Sequence, residues 1–356
     1  MDKLSITCHG NEQNAENFIN SLEKKRFIFS LVISYTETSE IPGITIAGAD
    51  KEFLKFTPPA DAEYINYGKC QCIDSIPMSP DGKPTPALLT KVALNTSKIP
   101  HFIVNAGSKI SPNVTLFDSD LPIGKNISES AALTKDSVSD AVEFGKIIGK
   151  SISRSTDCLV IGESVPGGTT TALATLKGFG IDTSVSSSMQ KNPIDLKNKV
   201  VSSALKRKQS DDTFEIVAEL GDPMIPVCAG MLSTASKDCR VILAGGTQMT
   251  AVLAMAKKIG YEKNNTAIGC TSYIIDDKEA RFLETIKQID DIAVLAIDPM
   301  LSNSQFSGLR SYSEGFVKEG AGAGGSLIAS VLKTGRSSER LLELIEREYQ
   351  RISTLQ

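Results

Sequence analysis

Residues 158–177 constrain this chain more than any other stretch. Cys158 to Ile161 is an unbroken apolar run, which reads as a buried strand. Glu163 follows at the strand's carboxyl end. Pro166, Gly167, Gly168 and the hydroxyls Thr169, Thr170 and Thr171 come next, and Ala172 to Lys177 has a helical composition. A strand, a glycine pair and a helix start in that order define a βα unit. In open α/β sheets, ligands bind just outside the carboxyl ends of the strands. Glycines there let a backbone approach an anion, and the helix start adds free N–H groups and a positive dipole end. The segment therefore offers a carboxylate beside a phosphate cradle, which points to chemistry on a phosphorylated small molecule.

The same alternation recurs along the chain. Apolar, β-rich runs fall at Phe27 to Tyr35, Gly43 to Gly48, His101 to Val104, Arg240 to Ala244, Thr271 to Ile275 and Ile292 to Ile297. Helical spacing of apolar residues predicts a helix over Val138 to Ile152, with Ser137 and Asp140 at its start, and Leu196 to Lys208 reads as a basic helix. Further helices are expected after Gly245-Gly246-Thr247, running to Lys258 with Gly260 as the stop, over Lys278 to Gln288, and over Ser338 to Ile352. Residues 74–86 read as a loop punctuated by Pro77, Pro80, Pro84 and Pro86. The fold expected is α/β, a mainly parallel Rossmann-like sheet flanked by helices, with a smaller helical element from the C-terminal tail. Residues 1–305 would form the nucleotide-binding catalytic domain. Residues 306–356 would form the helical element.

Bulk composition excludes several function classes. With 38 basic against 42 acidic residues, the net charge of −4 gives no pull toward nucleic acid or a membrane surface. No apolar run approaches the length of a membrane span, and the first residues lack a signal peptide's apolar core. Seven scattered cysteines do not make a disulfide framework, so a cytoplasmic location is expected. Cys70 and Cys72 stand as a lone Cys-x-Cys, too little for zinc, and His9 and His101 are the whole supply of histidine. There is no Gly-Lys-Ser/Thr after a glycine loop, which excludes a P-loop. No cofactor and no metal site are expected.

Two further elements compete for a role. Gly245-Gly246-Thr247 repeats the strand, glycine pair and hydroxyl pattern, and reads most simply as a tight βα turn. Lys318-Glu319-Gly320-Ala-Gly322-Ala-Gly324-Gly325 surrounds one glutamate with small residues, permitting close backbone approach by a ligand or a helix. Tyr273 to Asp277 has the apolar-then-two-acids look of diphosphosugar-dependent transferases, but the phosphate loop of that class does not follow. Asp276 and Asp277 therefore read as a helix start.

With these pieces in place, the chain resembles the nicotinate-nucleotide–dimethylbenzimidazole phosphoribosyltransferase family, in a divergent archaeal-type branch. That family's Gly-Glu-Met-Gly-Ile-Gly-Asn-Thr-Thr element is matched by Gly162 to Thr170. Its Gly-Thr-x-Asn…Ala-Met-Thr stretch is echoed by Gly124 to Thr134. Its late Gly-Glu-Gly-x-Gly-Ala element corresponds to Lys318 to Ala323. The order agrees over about residues 120–330, and Ser164-Val165-Pro166 departs from the family's loop. The resemblance implies transfer of phosphoribose from nicotinate mononucleotide to a benzimidazole or related base. Glu319 would be the proton acceptor, with Glu163 beside the reacting sugar. Gly167, Gly168, Thr169 and Thr170 would hold the 5′-phosphate, with Lys197 or Lys199 assisting. Ser302, Gly320 and Gly322 are further substrate-binding candidates. A homodimer without nucleic-acid or membrane partners is expected. Two rival readings are a transferase using Asp276 and Asp277 with magnesium and a diphosphosugar, and a non-catalytic nucleotide-binding module.

Overall fold

The computed structural model describes residues 5–45, 52–74, 78 and 82–354. Eight strands form one sheet: β1 (Ile6–Gly10), β2 (Phe27–Ile33), β3 (His101–Asn105), β4 (Leu116–Asp118), β5 (Cys158–Ser164), β6 (Arg240–Ala244), β7 (Thr266–Thr271) and β8 (Ala293–Ile297). Their spatial order is β1-β8-β7-β6-β5-β2-β3-β4, and every pairing is parallel except the edge pair β1–β8.

Fourteen α-helices among the described residues surround it: α1 (Glu12–Leu22), α2 (Thr57–Tyr67), α3 (Ala87–Ser97), α4 (Lys135–Ser153), α5 (Gly168–Gly178), α6 (Ile194–Leu205), α7 (Thr213–Leu220), α8 (Met224–Ala235), α9 (Thr247–Ile259), α10 (Ser272–Ile275), α11 (Phe282–Ile289), α12 (Ser307–Arg310), α13 (Ala323–Thr334) and α14 (Ser338–Ser353). The central strands β5, β6, β7 and β8 are almost wholly buried because helices cover both faces. In β5, Leu159 and Ile161 enter one buried cluster, packed with α4, α5, α8 and α9. Cys158 and Val160 enter the other, shared with α1, α3, α13 and α14.

From β2 the chain runs outward through β3 and β4, then returns to place β5 on the opposite side of β2. The strand order therefore reverses between β2 and β5, whose carboxyl ends are aligned by the pairing of Ile33 with Ser164. A reversal of this kind opens a crevice at the carboxyl edge of the sheet, the usual ligand site of doubly wound folds.

Several local expectations are corrected. Strand β5 continues through Ser164, so Glu163 lies within the ladder and not beyond it. Strand β7 ends at Thr271, and Ser272–Ile275 is helical. Helix α4 begins one turn early, where Thr134 caps the Ser137 N–H. The expected helix over 278–288 is divided by Arg281, which takes a left-handed backbone with φ 47°. The chain turns at Gly43, and the rest of the strand expected there lies outside the described residues, as do Pro77 and Pro80. Strand β1 and helices α2 and α3 fall in stretches the periodicity left unassigned.

The helical tail packs into the body of the fold. Helix α13 packs on β6, β7, β8 and α3, and its Leu327, Ile328 and Val331 share a core with Val160, Ile242 and Leu295. A boundary at residue 305 would cut through that core.

Candidate active site

A cavity of about 530 Å³ opens at the reversal point. The end of β5 and the start of α5 form one side, from Glu163 to Thr169. The start of α9 contributes Gly246, Thr247 and Gln248. The tail contributes Val317, Glu319 and Gly320, and the loop before α6 contributes Ser186 to Ser188. Residues of and near α2 complete an apolar wall with Phe53, Phe56 and Ala60.

Glu163 and Glu319 meet in this cavity although 156 positions separate them (319 − 163). The glycine pair after β6 sits between them. A Cβ on Gly245 would lie 3.9 Å from Glu163 Oε1, and one on Gly246 would lie 3.7 Å from Glu319 Cγ. Glu163 Oε2 accepts the Val165 N–H at 3.1 Å. Burial pushes the Glu163 carboxyl up to about 8, with the charges of Asp222 and Glu319 adding to the effect. Glu319 is held more firmly. Its Oε2 accepts the Thr271 N–H at 2.7 Å, and its Oε1 accepts the Gly324 and Gly320 N–H groups at 3.0 and 3.2 Å. Burial raises its pKa while these three N–H groups oppose the rise.

The small residues of the tail have a packing reason. Gly322, in the left-handed region at φ 72°, lies against Gly162 of β5 and the Phe29 ring. Gly324 lies on the backbone of Cys270 and Thr271, and Gly325 on Ala244. Any side chain at these positions would lift the tail off β5, β6 and β7 and carry Glu319 away. Val317, Lys318 and Ala321 also take positive φ. Such conformations persist only where the surroundings enforce them. Gly320 lines the cavity, whereas Gly322 faces the sheet and not a ligand.

At the start of α5, Gly167 has φ 71°, and a Cβ on it would strike Ser39. The side of Gly168 is occupied by the Gln248 amide. Both glycines thus admit protein atoms as well as exposing the helix start. The buried Gln248 Oε1 has no hydrogen-bond partner among the described residues. Thr169 lines the cavity and accepts Lys197 Nζ at 3.0 Å; the same Nζ donates to the Ser186 carbonyl at 2.8 Å. Lys197 therefore stands behind the wall and braces it, and burial depresses its pKa to about 7. Thr170 points into the protein, fully buried. Lys199 lies on the exposed side of α6, and Ser302 is exposed beyond β8; neither lines the cavity, because each sits on the solvent side of its turn.

Asp277 is engaged elsewhere. It accepts Ser186 Oγ at 2.6 Å, pairs with Lys318 Nζ at 3.1 Å and caps a short helical turn through the Glu279 N–H. Asp276 is exposed, and neither acid lines the cavity. The residues that reading the sequence missed are Asp61, Asp222, Gln248 and the serines at 186–188. Gln248 had a signal in the glycine pair before it, since Gly245-Gly246-Thr247 repeats the logic of the β5–α5 junction. Asp222 is buried behind the site, accepting Thr171 Oγ1 and the Met224 N–H.

The doubly wound sheet agrees with the structural comparisons. A phosphoribosyltransferase family model matches residues 100–272. The fold is that of the nicotinate-nucleotide–dimethylbenzimidazole phosphoribosyltransferase from Thermus thermophilus, with a TM-score of 0.63 at 15% identity over 92% of this chain and 89% of that one. The match to the family model spans just under half of the chain, and the structural likeness shows the fold that the sequence resemblance implies. The chain belongs to the UPF0284 family. It is 45% identical to the UPF0284 protein of Archaeoglobus fulgidus over 93% of this chain and 95% of that one. It is 43% identical to that of Sulfurisphaera tokodaii over the same shares.

Proposed function

We propose that the protein transfers phosphoribose from nicotinate mononucleotide to a benzimidazole-like base, giving nicotinate and an α-ribazole-type phosphate for the lower ligand of cobamides. The observation that carries this reading is the convergence of Glu163 and Glu319 beside the start of α5. One azole nitrogen attacks C1′ while the C1′–pyridinium bond breaks, and the pair of electrons from that bond stays on the departing ring nitrogen, giving nicotinate with an uncharged pyridine ring. The other azole nitrogen gives up its proton to Glu319. A carboxylate offers about four acceptor sites, and backbone N–H groups take three of them here, leaving about one for the base. Glu163 faces the sugar. Its carboxyl, neutral-leaning when the cavity is empty, ionises when the pyridinium arrives and then stabilises positive charge developing at C1′. The 5′-phosphate sits at the start of α5, by Thr169 braced from Lys197.

Purified protein is incubated with nicotinate mononucleotide and benzimidazole, and both products are followed by chromatography. Nicotinate and the new nucleotide should appear together and survive exhaustive chelation. Glu319→Gln should bind the donor normally and turn over about 10²–10⁴-fold more slowly. Failure of wild-type protein to release nicotinate with any benzimidazole overturns the assignment. Turnover with a diphosphosugar that magnesium restores after chelation moves it to the rival class.

A further inference from the structure

Three acids line the cavity, and the reaction above uses two of them. The third is Asp61 of α2, set where the apolar wall of Phe53, Phe56 and Ala60 meets Ser164. It is 4% exposed. Its Oδ1 accepts Thr85 Oγ1 and its Oδ2 accepts Ser164 Oγ, each at 2.7 Å. No cation and no backbone N–H among the described residues bonds this carboxylate.

Its neighbour Glu63, two positions on in the same helix, shows the contrast. Glu63 takes the N–H groups of Gln71, Cys72 and Asn113, which hold its pKa below the ordinary range and bind a loop in place. Asp61 has only two hydroxyl dipoles, and burial pushes it up to about 6. A buried carboxylate without a cation is costly unless donors satisfy it. Of about four acceptor sites, two remain. They belong to a side chain on the wall that would hold a flat heterocycle.

We propose that Asp61 is a specificity-determining residue that accepts an N–H from the edge of the acceptor base, so that the preferred acceptor is an azole bearing an exocyclic amine. The inference rests on the reading of this cavity as an azole site. The aromatic wall takes the faces of the ring, Glu319 takes its azole N–H, and Asp61 takes the amine.

Binding of benzimidazole, 4-aminobenzimidazole and 5-aminobenzimidazole is measured by calorimetry, without donor, for wild type, Asp61→Asn and Ser164→Ala. One amino compound should bind wild type roughly tenfold or more tighter than benzimidazole, the size of one hydrogen bond to a charged group. Asp61→Asn should abolish that preference and leave benzimidazole affinity within about threefold, since no contact to the parent ring is lost. Ser164→Ala, which removes a partner of Asp61 but not the acceptor, should keep the preference. Equal binding of all three bases by wild type overturns the proposal, and so does an equal loss for all three in Asp61→Asn. If the Asn variant does not fold, the wild-type ratio alone decides. Azoles that bind with the expected preference but yield no nicotinate would refute the donor assignment and leave this inference standing.

Discussion

Replacing Glu163 with Gln should make the protein inactive and more stable, and the stability gain should depend on pH. The Glu163 carboxyl is raised from its ordinary 4.5 to about 8, chiefly by burial. For an acid raised on folding, stability is fully present below the unfolded value and falls as pH climbs toward the folded one. Between the two values the unfolded chain has released a proton that the native state keeps, so stability drops by about 1.4 kcal/mol per pH unit. At pH 7 the distance from 4.5 is about 2.5 units, which corresponds to about 3 kcal/mol. Gln has the same shape and no charge to desolvate, so the variant escapes this loss. Denaturant unfolding of both proteins at several pH values is the assay. The stability difference, variant minus wild type, should be small near pH 4.5, grow steadily to about pH 8, and flatten above it. Asp61 and Asp222 are raised as well, but they are present in both proteins and largely cancel in the difference. A difference that does not change with pH would show that Glu163 ionises freely in the folded state, and the reasoning would fail.

Two further outcomes follow from the geometry. Gly162→Ala places a Cβ 2.8 Å from Gly322 Cα and 2.9 Å from the Phe29 ring, so thermal unfolding should show about 1–3 kcal/mol of overpacking, accompanied by a loss of turnover as the tail carries Glu319 off the strand ends. Lys197→Met keeps the buried volume but removes the donor to Thr169 and Ser186; KM for the nucleotide should rise by roughly tenfold with kcat little changed, and a fall in kcat alone would contradict a bracing role.

Much of the sheet was legible in the chain itself. The apolar runs of β2, β3, β5, β6 and β8, and the amphipathic stripes of α4 and α14, are patterns whose physical origin spans only a few residues. The β5–α5 junction was legible for the same reason, since a strand end, a glycine N-cap and a helix start are neighbours in sequence. The parallel character of the sheet followed from the alternation. Long-range packing decided the rest. Nothing local says that β5 lies beside β2, yet that placement creates the crevice. The run of small residues after Glu319 announced a close approach but not its partner, and the partner for Gly322, Gly324 and Gly325 proved to be the strands themselves. Asp61 and Glu63 sit two apart on one helix and are chemically alike in the sequence. One is consumed by backbone donors and the other faces a cavity, because what surrounds a buried carboxylate comes from distant segments. The pKa of Glu163 has the same origin. Its 4.5 is a property of the residue, and its rise to about 8 is a property of the fold that removes its water and sets Asp222 and Glu319 nearby.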